Sequence, residues 1–179
     1  MSSSGQQPRD GVDAIIEQWA RERPDLRTPG MEVFGRIYRL ARVMGERAER
    51  AYSAFGISRG EFDVLATLRR SGEPYTLSPR DLSTTLMLTT GGMTGRLDKL
   101  ERAGLLTRSP DPDDRRGLRV SLTERGLALV DEAVGAGLAE QNQAVRDAFD
   151  DRRAAELADM LRELLATAEH PAVHPRSEA

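Results

Sequence analysis

Apolar residues recur at helical spacing over most of this chain and shorten into brief runs at only one place. Val12, Ile15, Ile16 and Trp19 fall at i, i+3, i+4 and i+7, which predicts a short amphipathic helix ended by Pro24. Val33, Phe34, Ile37, Tyr38, Leu40, Ala41, Met44 and Ala48 predict a long helix over about 29–54, opened by Thr28-Pro29 and closed at Gly56. From Ser58 the stretch SRGEFDVLATLRR starts with an S-x-x-E capping box, Ser58 with Glu61, and puts Phe62, Leu65 and Leu68 on one side. Ser78-Pro79 begins a short helix over about 79–86. Thr89 or Thr90 begins the next, with Met93, Leu97 and Leu100 inward and Ala103-Gly104 at its end. Two short extended segments follow, about 105–109 and 117–122. Thr123 caps a helix to about 148 with Leu127, Val130, Val134 and Leu138 as its stripe, and Asp150 or Asp151 caps a last one to about 168.

Helix, helix, tight turn, helix, hairpin is the order of a winged helix-turn-helix. The fold class is therefore mostly α: a winged helix-turn-helix domain with long N- and C-terminal helices forming a dimerisation domain. The expected divisions are a disordered leader over 1–10, an extra helix and a dimerisation helix over 11–57, the winged domain over 58–122, C-terminal dimerisation helices over 123–168 and a disordered tail over 169–179. The terminal helices carry more apolar surface than one small winged domain can bury, which itself points to a symmetric dimer.

Composition narrows the function. There is no cysteine, so disulfides, thiolate zinc sites and thiol redox sensing are out. The two histidines, His170 and His174, lie in a Pro-containing tail, so neither a histidine metal site nor a Ser-His nucleophile is expected, and the chain does not read as an enzyme. The N-terminus lacks a hydrophobic signal core and no apolar run approaches the roughly 20 residues that span a bilayer, so a cytoplasmic protein is expected. The net charge of −3 does not exclude nucleic acid, because the charge that matters is local to the contact face.

Two stretches carry the chemistry. The first is TTGGMTGR, 89–96, at the start of the helix that a helix-turn-helix lays in the major groove. Thr89, Thr90 and Thr94 offer hydroxyls. Gly91, Gly92 and Gly95 let the backbone approach closely, at a cost in helix propensity of roughly 1 kcal/mol each. Arg96 and Lys99 add positive charge. The second is RSPDPDDRRGLRV, 108–120. A hairpin loop of this kind lies over a minor groove, whose negative potential attracts an inserted arginine. Asp111, Asp113 and Asp114 can hold Arg115, Arg116 or Arg108 in place, leaving Arg115 or Arg116 to insert. The alternative for the loop is a merely solvated turn.

LERAGLLTRSPDPDDRRGLRVSLTERG resembles the signature of the MarR family of transcriptional regulators: L-E-x-x-G-L-x-x-R, then a D-P-x-D-R-R wing, then L-T-x-x-G. The likeness covers roughly 30–168. It implies a homodimer that binds double-stranded DNA at a palindromic operator, most often as a repressor, and that lets go when a small-molecule effector binds. The added helix with EQWARERPDL further resembles the urate-responsive, PecS-like branch. On that resemblance the ligand-binding residues are Trp19, Asp63, Arg96 and Arg108, and the effector is urate or a similar purine; no other cofactor is implied. Urate is a planar monoanion, suited to stacking on an indole and pairing with a guanidinium. Other readings stay open: Trp19 as core, Asp63 paired with Arg70 or Arg36, an aromatic, phenolic or antibiotic-like effector, or a structural DNA binder without sequence preference.

Overall fold

The structure is a computed structural model and describes residues 9–170 apart from 88, 113, 115 and 116. Its elements are α1 (Gly11–Glu22), α2 (Pro29–Ser53), α3 (Arg59–Arg70), β1 (Thr76–Leu77), α4 (Pro79–Thr85), α5 (Thr90–Arg102), β2 (Leu106–Pro110), β3 (Leu118–Leu122), α6 (Glu124–Ala148) and α7 (Asp151–Glu169). The mostly helical class and the hairpin are as the periodicity predicts. Among the described residues the addition is β1, too short to leave a periodic trace. It pairs with β3 through Thr76 opposite Ser121 and Leu77 opposite Val120, giving the sheet order β1-β3-β2.

Side-chain caps set most helix starts. Ser58 accepts from the Glu61 amide while Glu61 accepts from the Ser58 amide, so the capping box forms in full. Ser78, Thr89, Thr123 and Asp150 each accept an N–H bond from the first turn of their helix. Asp10, placed with the disordered leader on sequence, is the N-cap of α1.

The core belongs to the winged half. Phe62, Val64, Leu65 and Leu68 of α3 meet Leu82, Met93, Leu97, Leu100, Leu106 and Val120, with Val130 and Ala133 of α6 closing one side. Two glycines set the approach of α6. A Cβ on Gly126 would overlap the Leu105 carbonyl, and one on Gly137 would lie 2.9 Å from Tyr52 Cζ. Tyr52 fills that space and stacks on Phe62 with ring centroids 4.0 Å apart. Arg69 adds an ion pair to Asp131 at 2.8 Å between α3 and α6.

The terminal helices are different. α7 has no buried residue and α2 has only Tyr52. Tyr38 is 70% exposed and Met160 59%, and Phe34, Leu40, Leu138, Leu161 and Leu165 are exposed as well. Isolated apolar residues on a surface are ordinary, but stripes on several long helices are not. Among the described residues no helix is long and apolar enough to cross a membrane.

Candidate nucleic-acid interface and effector site

α5 separates its two faces cleanly. Met93, Leu97 and Leu100 are buried, while Thr89, Gly91, Gly92, Thr94, Gly95, Lys99 and Arg102 are exposed. A Cβ at Gly91 or Gly95 would meet nothing within 4 Å. The outer face of the helix is thus bare backbone ringed by hydroxyls and cations. Thr89 is the cap rather than the first helical residue, and its hydroxyl accepts from the Gly92 amide at 3.3 Å. Thr90 follows as the first helical residue. The Lys99 ammonium lies 3.7 Å from Glu61, which leaves it mostly in solvent.

The hairpin is pinned at its root. Arg108 of β2 stands opposite Val120 of β3. Its amide donates to Glu101 Oε1 at 3.0 Å, and its Nε and Nη2 donate to Glu101 Oε2 at 3.0 and 2.5 Å. Nη2 also lies 2.8 Å from Asp98. The bond to Arg108 holds the Glu101 carboxyl below its ordinary range, and the bond to Glu101, seconded by Asp98, raises the Arg108 guanidinium. Of the three arginines that the wing aspartates are expected to hold, Arg108 thus has partners on α5 among the described residues. Nothing in the periodicity reveals Glu101 and Asp98 as those partners, because the link spans a helix end and a strand start.

Asp111 does brace an arginine, Arg119, at 3.2 Å. The loop is closed by the Asp111 amide donating to the Gly117 carbonyl and the Gly117 amide donating to the Asp114 carbonyl, at 3.0 and 2.9 Å. A Cβ on Gly117 would press within 3.0 Å of Asp111 Cβ and 3.1 Å of Asp114 Cβ, which is why the loop exit is glycine. Asp113, Arg115 and Arg116 lie outside the described residues.

Of the four residues assigned to the effector, Arg96 reaches from α5 onto α3, the helix that carries Asp63. Arg96 Nη1 donates to the Gly60 carbonyl at 3.3 Å, and its guanidinium covers Gly60 so closely that a Cβ there would lie 2.7 Å from Arg96 Cζ. Asp63 is one turn further along α3. Its carboxylate acts on Tyr52, whose phenol is pushed up by burial first and by Asp63 second, with Arg59 opposing. The suggested alternatives for Asp63 do not hold: Arg70 donates to Ala66 O and Thr67 Oγ1, and Arg36 to Asp10, Asp13 and Glu32 O. Arg96 has no carboxylate partner among the described residues. Trp19 is 42% exposed in the protomer, so it is not a core residue there. No hydrogen bond or ion pair among the described residues joins any two of Trp19, Asp63, Arg96 and Arg108. Among the described residues no cluster of side chains is suited to a metal ion either.

A model described as MarR family matches residues 55–117, the segment from the end of α2 to the hairpin loop. The HTH-type transcriptional regulator PecS of Dickeya dadantii is 42% identical over 123 residues, covering 69% of this chain and 74% of that protein. The HTH-type transcriptional repressor YetL of Bacillus subtilis is 26% identical, covering 65% and 70%. Among solved structures, AbsC, a MarR family transcriptional regulator from Streptomyces coelicolor, superposes with a TM-score of 0.70 at 22% identity, over 80% of this chain and 97% of that one. A mutant MarR from E. coli complexed with operator DNA gives 0.65 at 23% identity, over 88% and 99%. These last two speak for the fold.

Proposed function

The chain belongs to the MarR family of transcriptional regulators, and on that premise we propose that it binds a palindromic operator as a homodimer, represses there, and is released by urate or a related purine. The observation that carries the DNA-binding reading is the outer face of α5, where Gly91 and Gly95 leave backbone open to a groove beside Thr89, Thr94 and Lys99. On this reading Thr90 and Gly92 line the same approach, and Arg115 and Arg116 serve the minor groove. Arg108 latches the hairpin to α5, so helix and wing dock as one unit. The apolar stripes of α2, α6 and α7 support a dimer whose two reading heads meet half-sites about one DNA turn apart.

The effector reading is supported by Arg96 reaching from α5 onto Gly60 of α3, the helix that also carries Asp63, and by Trp19 standing exposed. An anion that draws Arg96 off Gly60 pulls on the recognition helix directly. Release requires that the ligand prefer one of two helix positions, and a residue on α5 supplies that preference. One observation favours a second reading. Arg108 is already matched by two carboxylates, whereas Arg96, bonded to the Gly60 carbonyl, has no carboxylate partner among the described residues. A monoanionic aromatic acid other than a purine suits a site in which Arg96 supplies the positive charge equally well.

Fluorescence anisotropy of labelled DNA from upstream of the protein's own gene, competed with unlabelled operator and with unrelated duplex at fixed salt, tests the DNA-binding reading. A regulator resists unrelated duplex by about a thousand-fold or more. Equal competition by both duplexes marks a structural DNA binder.

A further inference from the structure

The N-terminal helix is held by one end. Asp10 accepts from the amides of Val12 and Asp13 at 2.6 and 3.2 Å, and Asp13 accepts from the Asp10 amide at 2.8 Å. A capping box of this kind satisfies itself without an outside partner. Here both carboxylates also accept from a single guanidinium on α2. Arg36 Nε donates to Asp10 at 2.9 Å and Nη2 to Asp13 at 2.6 Å, while Nη1 is anchored on the Glu32 carbonyl at 3.0 Å. Beside this clamp Val12, 2% exposed and the buried residue of α1, sits on Gly35, where a Cβ would come within 3.0 Å of Val12 Cγ1. Arg39 closes over Gly11 in the same way.

All the hydrogen bonds and ion pairs that join α1 to α2 among the described residues come from this first turn. Further along, Ile15 and Trp19 are exposed. Trp19 lies roughly 10 Å along the axis from Val12. A tilt of about 10° at the seat therefore moves the indole by about 2 Å, enough to break a stacking contact.

We propose that Arg36 is a positioning residue: by clamping Asp10 and Asp13 it sets the angle at which α1 leaves α2, and so where Trp19 stands for the effector. The effector half of this statement rests on the reading of Trp19 given above. The arginine fork is what the task needs. Two carboxylates and a carbonyl lie in different directions, and a lysine ammonium cannot span them from one fixed stem. The hydrogen bonds of Arg36 go to Asp10, Asp13 and the Glu32 carbonyl, and among the described residues none goes to α5 or the hairpin, so the clamp acts on the effector's contact and not on DNA.

Trp19 is the single tryptophan of the chain, so its fluorescence reports α1 without a label. The experiment measures acrylamide quenching of the full-length protein and the urate midpoint for release of operator DNA. Arg36→Gln and the double variant Asp10→Asn, Asp13→Asn are compared with Arg36→Lys. Asparagine caps a helix as well as aspartate, so the double variant keeps α1 and removes the attraction to Arg36. The expected result is a quenching constant about two-fold higher in the glutamine and double variants, an intermediate value for Arg36→Lys, and unchanged operator affinity. If the seated population falls to about a third, the urate midpoint rises about three-fold. Unchanged quenching overturns the proposal. So does raised quenching with an unchanged urate midpoint, because α1 then moves without consequence for the effector. A wild-type protein that ignores urate refutes the effector reading instead, and the clamp then stands or falls on quenching alone. Should Arg36→Gln not fold by circular dichroism, the asparagine pair decides.

Discussion

Arg108 at the root of the hairpin and Glu101 near the end of the recognition helix are joined by three hydrogen bonds, one from the Arg108 amide and two from its guanidinium. The wing consequently cannot swing without pulling on α5. Glu101→Gln removes the charge that holds the guanidinium and keeps the shape. The expected result is a three- to ten-fold loss of operator affinity by order of magnitude, with a small change in melting temperature, because the pair is half-buried and solvent still screens it. Faster amide exchange in β2 and β3 of the variant, measured by mass spectrometry, checks that the wing has loosened.

The same pair has a defined pH behaviour. Bonding to Arg108 lowers the Glu101 carboxyl in the folded state. A group with a depressed folded value contributes stability that is fully present above its unfolded value and is lost as pH falls through the folded one. The wild type should thus keep its advantage over Glu101→Gln across the neutral and mildly acidic range. The two should converge only below the usual carboxylate range. Operator titrations of both proteins at constant ionic strength read this directly, and convergence near neutrality contradicts it.

Glycines in this chain divide into those that are enclosed and those that are open. Gly126 faces the Leu105 carbonyl, which cannot move aside as a side chain would. Gly126→Ala should cost about 2–4 kcal/mol and lower the melting temperature by several degrees. Gly91→Ala and Gly95→Ala meet open space, so each should raise stability by up to about 1 kcal/mol through helix propensity. Each should also weaken operator binding, because the added methyl stands where DNA approaches. Thermal melts paired with anisotropy test both halves, and a more stable variant with undiminished affinity removes α5's bare face from the interface.

The apolar residues of the terminal helices need a partner. Leu161→Asp with Leu165→Asp places two charges on the exposed stripe of α7, which has no buried residue in the protomer. The double variant should sediment as a monomer and lose operator binding, while the wild type sediments as a dimer. A wild-type monomer at micromolar concentration ends the dimer reading.

Much of the fold is legible in the sequence because amphipathic helices announce themselves by period and their ends by Ser, Thr and Gly. Ser58 with Glu61, Ser78, Thr123 and Gly104 mark boundaries within a residue or two of where they occur. What escapes is what depends on contacts between distant segments. β1 is too short for a pattern. The partners of Arg108 and of Arg36 are chosen by packing angles that no local rule contains. The enclosure of Gly60 by Arg96 is of the same kind, since a glycine near a helix start has ordinary reasons to be there. The site is less legible than the fold for that reason: residue types can be assigned from a motif, but Trp19, Asp63, Arg96 and Arg108 come from four different elements, and how those elements pack is not written in local sequence.

The measurement that tests the central claim most directly is a urate titration of the protein–operator complex at fixed salt, followed by anisotropy, with Trp19→Phe alongside. The account predicts release by urate in the wild type, no comparable release by allantoin, and a weakened response in Trp19→Phe with operator affinity intact. A specific complex that urate leaves undisturbed contradicts the purine reading. An equal response in Trp19→Phe removes Trp19 from the effector site.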